Sequence, residues 1–354
     1  IWYRYHMVTI PYIGQIIVGM TTIHDVAKRA GVAPITVSRV INNSGYVSEG
    51  TRERVETAVL ELGYVPSGPA RSLRLKRTNS IALVLTDITN PFFTTIARGV
   101  EDVAGAAGYT VTYCNTDEDE SKELRNISLL LQQQVDGILL VPALSKVDTV
   151  NLIEGYKVPV VVLDRRIPEV DADIVRCDSV DGAYKLVSYL LKLGHRRIAI
   201  LTGPEGTSTA DDRLAGYKWA MSEYGLDIGK DWIFRGTFTQ DSGFDMAQRA
   251  ARLNPRPSAI FAANNFIAIG VMKALQELAL SVPEDISLVG FDDLPESLVV
   301  FPFLTVVAQP AYQMAQEATL LLLARIAGEA PQERQELVLP TKLIIRLSAE
   351  RLPG

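Results

Sequence analysis

Beyond residue 80 the chain alternates between short apolar runs and amphipathic stretches. The runs fall at 81–86, 109–114, 136–141, 158–163, 197–202, 259–262 and 286–291, and each reads as a buried strand. Between them, apolar residues recur at helical spacing over 93–107, 121–134, 180–193, 213–224, 242–253 and 266–279. Apolar strands alternating with amphipathic helices predict parallel sheets covered on both faces. Residues 80–354 are too many for one simple sheet, so the pattern predicts an α/β core of two doubly wound parallel-sheet lobes.

Residues 20–66 carry a different pattern. Thr22-Ile23-His24-Asp25 reads as a capping box: the Thr22 hydroxyl meets open N–H groups, and Asp25 suits the positive helix start. Ile23, Val26, Ala27 and Ala30 form one apolar face, and Gly31 a left-handed helix end. A second helix opens at Pro34 with Val37, Val40 and Ile41 inward; a third, from Ser48, carries Val55, Ala58, Val59 and Leu62 and stops at Gly63. Two helices joined by a short Gly-containing turn predict an all-α helix-turn-helix head. Its second helix turns Pro34, Ile35, Thr36, Ser38 and Arg39 outward, hydroxyls for phosphates and a guanidinium that fits guanine O6 and N7. A plain three-helix bundle with a solvated face fits the same spacing. Residues 67–79 read as a hinge whose basic part is too short to stay helical alone. Two copies paired on DNA would let it fold, with Leu73 wedged into a base step from the minor groove; a charged flexible linker is the plainer alternative.

Charge divides the chain at the same place. The net charge of −6 is uneven: residues 20–80 hold nine Lys and Arg against five Asp and Glu, and residues 81–354 hold 25 against 36. A basic module on an acidic body points to a polyanion partner. The two cysteines, Cys114 and Cys177, lie in apolar strand-like surroundings and offer no disulfide framework or zinc spacing, which fits a reducing cytoplasm. The apolar run 8–18 is broken by Pro11 and Gly14 and is too short for a bilayer, which takes roughly 20 apolar residues. Residues 1–19 are therefore expected to be a disordered extension, or sequence upstream of a start at Met20, and no membrane partner is expected. Neither phosphate-loop nor dinucleotide-loop glycines nor a nucleophile elbow occurs, and His24 and His195 lack ligand-type neighbours. No enzyme activity, metal or cofactor is expected.

Polar and aromatic residues gather at the predicted strand ends: Asp87 with Asn90-Pro91-Phe92-Phe93, Asp164-Arg165, Arg213, Phe238, Asn264-Asn265 and Asp292-Asp293. Ligands in such folds bind beyond the carboxyl ends of the strands. Carboxylates, amides and a guanidinium beside flat aromatic walls suit a polyhydroxylated or heteroaromatic small molecule, although several of these residues also read as helix caps. Arg165 leaves an acidic or phosphorylated ligand open.

The stretches 22–32 and 36–42, then Tyr64-Val65-Pro66, Ala70-Arg71-Ser72-Leu73, Asn90-Pro91-Phe92-Phe93, Gly194-His195-Arg196-Arg197 and Gly290-Phe291-Asp292-Asp293 closely resemble the lactose/galactose repressor family. The likeness spans about residues 21–350. It implies a homodimeric repressor whose paired heads read a pseudo-palindromic DNA operator, and a periplasmic-binding-protein-like core holding a small effector, best a sugar, between its lobes. By position it implies DNA contacts from Thr22, Pro34, Ile35, Thr36, Ser38, Arg39, Asn42, Arg71 and Leu73. Effector contacts would come from Phe92, Phe93, Asp164, Arg165, Arg213, Phe238, Asn264, Asp293 and Gln309, with Asp87 added from the strand-end reading. Three departures stand out: Ala33 where a capping Ser is usual, the poorly hydrogen-bonding pair Pro34-Ile35, and Asn265 where an Asp is usual. The rival readings are a periplasmic-type sugar-binding protein without a DNA role and a sugar-metabolising enzyme on a doubly wound fold.

Overall fold

The computed structural model describes residues 21–65, 77–144, 147–168, 170–295 and 302–352, in two compact units that part between residues 65 and 77. The described residues of the first unit form three helices, α1 (Ile23–Ala30), α2 (Pro34–Ile41) and α3 (Glu49–Leu62). Their inner faces bury Val26, Ala27, Ala30, Val37, Val40, Val55 and Ala58, the positions that the helical spacing selects. The capping box forms: the Thr22 N–H donates to Asp25 Oδ2 at 2.9 Å, and the Asp25 N–H returns a bond to Thr22 Oγ1 at 3.4 Å. Gly31 takes φ 65°, which ends α1 in the left-handed region.

The second unit begins at Arg77 and contains two six-stranded sheets. Lobe 1 uses β1 (Ser80–Leu85), β2 (Thr110–Asn115), β3 (Gly137–Leu140), β4 (Val160–Leu163), β5 (Asp173–Cys177) and the late strand β11 (Glu336–Leu339), in the order β2-β1-β3-β4-β5-β11, all parallel. Lobe 2 repeats the plan with β6 (Ile198–Thr202), β7 (Ile233–Arg235), β8 (Ala259–Ala262), β9 (Ser287–Phe291), β10 (Thr305–Ala308) and β12 (Lys342–Ile344). Its order is β7-β6-β8-β9-β10-β12, with only β12 antiparallel. The helices are α4 (Pro91–Ala106), α5 (Glu120–Gln132), α6 (Asp148–Gly155), α7 (Ser179–Lys192), α8 (Ser208–Glu223), α9 (Gln240–Ala251), α10 (Asn265–Glu277) and α11 (Ala311–Ala327).

Each strand feeds both faces of its sheet. In β1, Ile81, Leu83 and Leu85 join the layer under α4 and α11, while Ala82 and Val84 join the layer under α5 and α6. That division explains the unbroken apolar runs. The chain passes from lobe 1 to lobe 2 after β5, back after β10, and over again between β11 and β12. Each of the seven apolar runs beyond residue 80 contains a strand: β1, β2, β3, β4, β6, β8 and β9. Strands β5, β7, β10, β11 and β12 and helices α6 and α11 escaped the pattern; all but the 17-residue α11 are only three to eight residues long, too short to carry a clear periodicity. Helix α8 starts at Ser208 and not at 213, so Arg213 lies inside the helix and not ahead of it.

Candidate functional site

Equivalent strands of the two lobes end in the same device. After β4, Asp164 adopts φ 68° and its N–H donates to the Val175 carbonyl at 2.9 Å; after β9, Asp292 adopts φ 70° and its N–H donates to the Val307 carbonyl at 2.8 Å. Aspartate tolerates the left-handed region better than most residues, and here it turns the chain so that a carboxylate heads the strand. These ends, with those of β1, β6, β7 and β8, enclose a cavity of about 430 Å3 between the lobes. Lobe 1 supplies Thr86, Asp87, Phe92, Phe93, Asp164 and Arg165; lobe 2 supplies Thr209, Arg213, Phe238, Asn264 and Asp292, and the crossover residue Gln309 completes the wall.

The two arginines are held mainly through their Nη groups, and the Nε of each has no partner among the described residues. Arg165 Nη1 and Nη2 each reach a Glu118 oxygen at 2.6 Å, and Nη1 also donates to the Pro142 and Ala143 carbonyls at 2.8 and 2.7 Å. Burial opposes its charge, yet Glu118 holds the guanidinium above its ordinary pKa. Arg213 lies over the Phe291 ring at 4.0 Å, donates to the Ala263 carbonyl at 2.6 Å, and has Asp292 Oδ2 at 3.8 Å. Asp292 also accepts from Gln309 Nε2 at 2.6 Å, while Gln309 Oε1 takes the Cys177 thiol at 2.7 Å. Burial pushes that thiol up to about 12, so it stays protonated and donates.

Asp164 differs. Burial raises its pKa to about 6, against the pull of Arg213 and Arg165, and its Oδ1 has no partner among the described residues. Thr86 Oγ1 is likewise buried without one. Phe92, Phe93 and Phe238 supply the aromatic walls. Phe238 fits because position 203 is glycine: a Cβ there would lie 2.3 Å from the ring.

Of the sequence-derived effector residues, Asp87, Phe92, Phe93, Asp164, Arg165, Arg213, Phe238, Asn264 and Gln309 all line the cavity. Asp293 does not. Its carboxylate forms a two-pronged bridge to Arg346 at 2.8 and 2.7 Å, and the preceding Asp292 faces the cavity instead. Successive residues at a strand end point to opposite sides, so an Asp-Asp pair cannot be resolved without the backbone. Arg165 lines the cavity with Glu118 on its fork, while its buried Nε has no partner among the described residues. Thr209, Asp117, Glu118, Thr237 and Thr239 line the cavity unforeseen. The run Asp117–Glu120 reads as a solvated acidic loop, and only the distant Arg165 reveals Glu118 as a partner. His195 is structural, held between Ser258 Oγ and the Glu350 carbonyl at 3.0 Å each.

In the head, Ile35 stands 58 % exposed on α2, beside outward Arg39. Ala33 makes no side-chain cap to α2. Half-buried Asn42 folds back on α2, its Nδ2 donating to the Ser38 carbonyl at 2.7 Å. Tyr46, 92 % exposed in the loop after α2, went unremarked in the sequence pattern. Arg71 and Leu73 lie, with hinge residues 67–76, outside the described residues.

Residues 22–67 match the family model described as bacterial regulatory proteins, lacI family, and residues 187–349 match that of a periplasmic binding protein-like domain. The ribose operon repressor of Escherichia coli (strain K12) is 38% identical over 331 residues, covering 93% of this chain and 100% of its own length. This chain belongs to the lacI family of bacterial regulatory proteins. The HTH-type transcriptional regulator DegA of Bacillus subtilis (strain 168) matches this lacI-family chain at 37% identity over 339 residues, 94% of the chain and 99% of DegA. Among solved structures, the Lac repressor dimer bound to operator and the anti-inducer ONPF superposes with a TM-score of 0.82 at 29% identity, over 93% of this chain and 99% of that one. Members of the family are regulators, and no helix among the described residues is long and apolar enough to cross a membrane.

Proposed function

We propose that this chain is a cytoplasmic, homodimeric repressor that reads a pseudo-palindromic operator and releases or grips it according to an uncharged polyhydroxylated molecule held between its lobes. The observation that carries the ligand class is the pairing inside the cavity. Both guanidiniums already have carboxylates close by, and the buried Asp164 Oδ1, Thr86 Oγ1 and the Nε atoms of Arg165 and Arg213 have no partner among the described residues. Hydroxyl donors flanked by C–H faces match acceptors set among Phe92, Phe93 and Phe238; a phosphate would bring a second anion to Asp164. The ribose operon repressor among the relatives fits this chemistry, and the operator-bound Lac repressor dimer fits the DNA role. In the head, Arg39 is the base-reading cation and Pro34 and Ile35 the apolar readers of a thymine methyl. Hinge residues 67–79, with Arg71 and Leu73, form the minor-groove element. The rival of a binding protein without DNA has no use for the lacI-family head.

A thermal-shift panel of D-ribose, cellobiose, hypoxanthine and ribose 5-phosphate, followed by selection of duplexes from random DNA, tests the reading. A neutral sugar that raises Tm and alters retention of an inverted-repeat duplex is the expected result. Stabilisation by the phosphate ester or the purine alone refutes the ligand class, and failure to enrich any inverted repeat refutes the DNA role.

A further inference from the structure

Two bridges join the lobes through residues that, with one exception, do not line the cavity. The first is an amide pair. Asn90, ahead of α4 in lobe 1, donates from Nδ2 to Asn265 Oδ1 at 3.0 Å, and Asn265, opening α10 in lobe 2, donates back to Asn90 Oδ1 at 2.9 Å. Both side chains are buried. Their orientation is fixed independently, because Asn90 Oδ1 also accepts from the Phe92 N–H at 3.0 Å and Asn265 Oδ1 from the Phe266 N–H at 2.7 Å. Each helix start thus claims its own amide oxygen and turns the amide nitrogen toward the other lobe. The reciprocal bond needs an amide at both positions; the aspartate that the family resemblance leads one to expect at 265 has no N–H to return. Asn90 reaches the cavity wall, but Asn265 does not.

The second bridge is ionic. Arg166 in lobe 1 pairs with Asp212 on α8 of lobe 2, and the Arg166 N–H donates to Ser208 Oγ at 2.8 Å. None of Arg166, Ser208 and Asp212 lines the cavity, although their neighbours Arg165 and Thr209 do. The Arg166 side chain is 43% exposed, so salt reaches this bridge but not the buried amide pair.

We propose that these two bridges, the Asn90–Asn265 amide pair and the Arg166 clasp on Ser208 and Asp212, set the resting angle of the lobes. Asn265, Arg166 and Asp212 are then positioning residues that tune effector response without touching effector. Any ligand that prefers the closed cleft binds in proportion to the closed fraction, and the bridges fix that fraction. This regulatory consequence rests on the cavity being the effector site; the angle itself does not.

The test is a double electron–electron resonance measurement on the full chain without ligand. Spin labels go on Tyr156→Cys in lobe 1 and Lys218→Cys in lobe 2, both exposed positions, with Cys114→Ala and the buried Cys177 left in place. Labelled protein is diluted into unlabelled protein so that distances arise within one chain. With both bridges present the distribution is single and narrow. Asn265→Ala and Arg166→Ala each raise the ratio of long to short distances about fivefold, and the double variant multiplies the two effects. Raising NaCl from about 50 to 500 mM broadens the Asn265→Ala distribution further and leaves Arg166→Ala unmoved. An unchanged distribution in the double variant overturns the proposal; so does equal salt response in both single variants. Arg166→Ala is a surface change that keeps the fold, so the proposal remains exposed even if Asn265→Ala folds poorly. The measurement needs no effector, and its outcome is therefore separate from the fate of the ligand reading.

Discussion

Replacing Asp164 with asparagine should make the protein more stable and less able to bind its effector. Asp164 is buried, its Oδ1 is unpartnered, and its pKa is raised to about 6 from the ordinary 3.8. A raised carboxylate pKa means that the folded state holds the proton more tightly than the unfolded chain. The stability tied to this group is full below pH 3.8 and is lost as pH rises through about 6. At pH 7.5 the ionised carboxylate costs about 3 kcal/mol, and at pH 5 about half of that. Asp164→Asn removes the titration and adds an offset that pH does not touch. Urea denaturation of both proteins at pH 5 and pH 7.5 isolates the effect, since the other titrating groups are common to both. The stability gap in favour of the variant should widen by about 1.5 kcal/mol between the two pH values. Ligand binding moves the other way: a sugar hydroxyl bonds the carboxylate more strongly than an amide, so affinity at pH 7.5 should fall about 10- to 100-fold. A gap that does not change with pH refutes the burial argument. Unchanged affinity refutes the role of Asp164 in the cavity.

Three further outcomes follow from particular contacts. Gly203→Ala places a Cβ 2.3 Å from the Phe238 ring, so the ring must leave its place; effector affinity should drop about tenfold by calorimetry while Tm changes little. Arg39→Ala should relax base preference at one position in each half-site by roughly 1–3 kcal/mol in a competition assay, and equal losses on specific and random DNA would contradict base reading. Ala33→Ser supplies the hydroxyl that α2 lacks, so amide exchange at Ile35 and Thr36 should slow about fivefold, the equivalent of a cap worth about 1 kcal/mol.

The one-dimensional pattern by itself determined the central strands, most of the helices and their layering. Apolar runs such as 81–86 and helical spacing such as that of Val26, Ala27 and Ala30 follow from which side chains must leave water, a property each residue carries wherever it sits. The capping box at Thr22 and Asp25 was legible for a similar reason, since its partners are three residues apart. Most of the cavity wall was legible too, because strand ends are positions in a pattern. What the sequence left open depends on contacts between residues far apart in the chain. Tertiary structure alone assigned Glu118 to Arg165. It chose Asp292 over Asp293 by the turn of the backbone after β9. It brought Asn90 to Asn265 across 175 positions, where a hydrogen bond of 3.0 Å depends on how two lobes close and on nothing either residue shows alone.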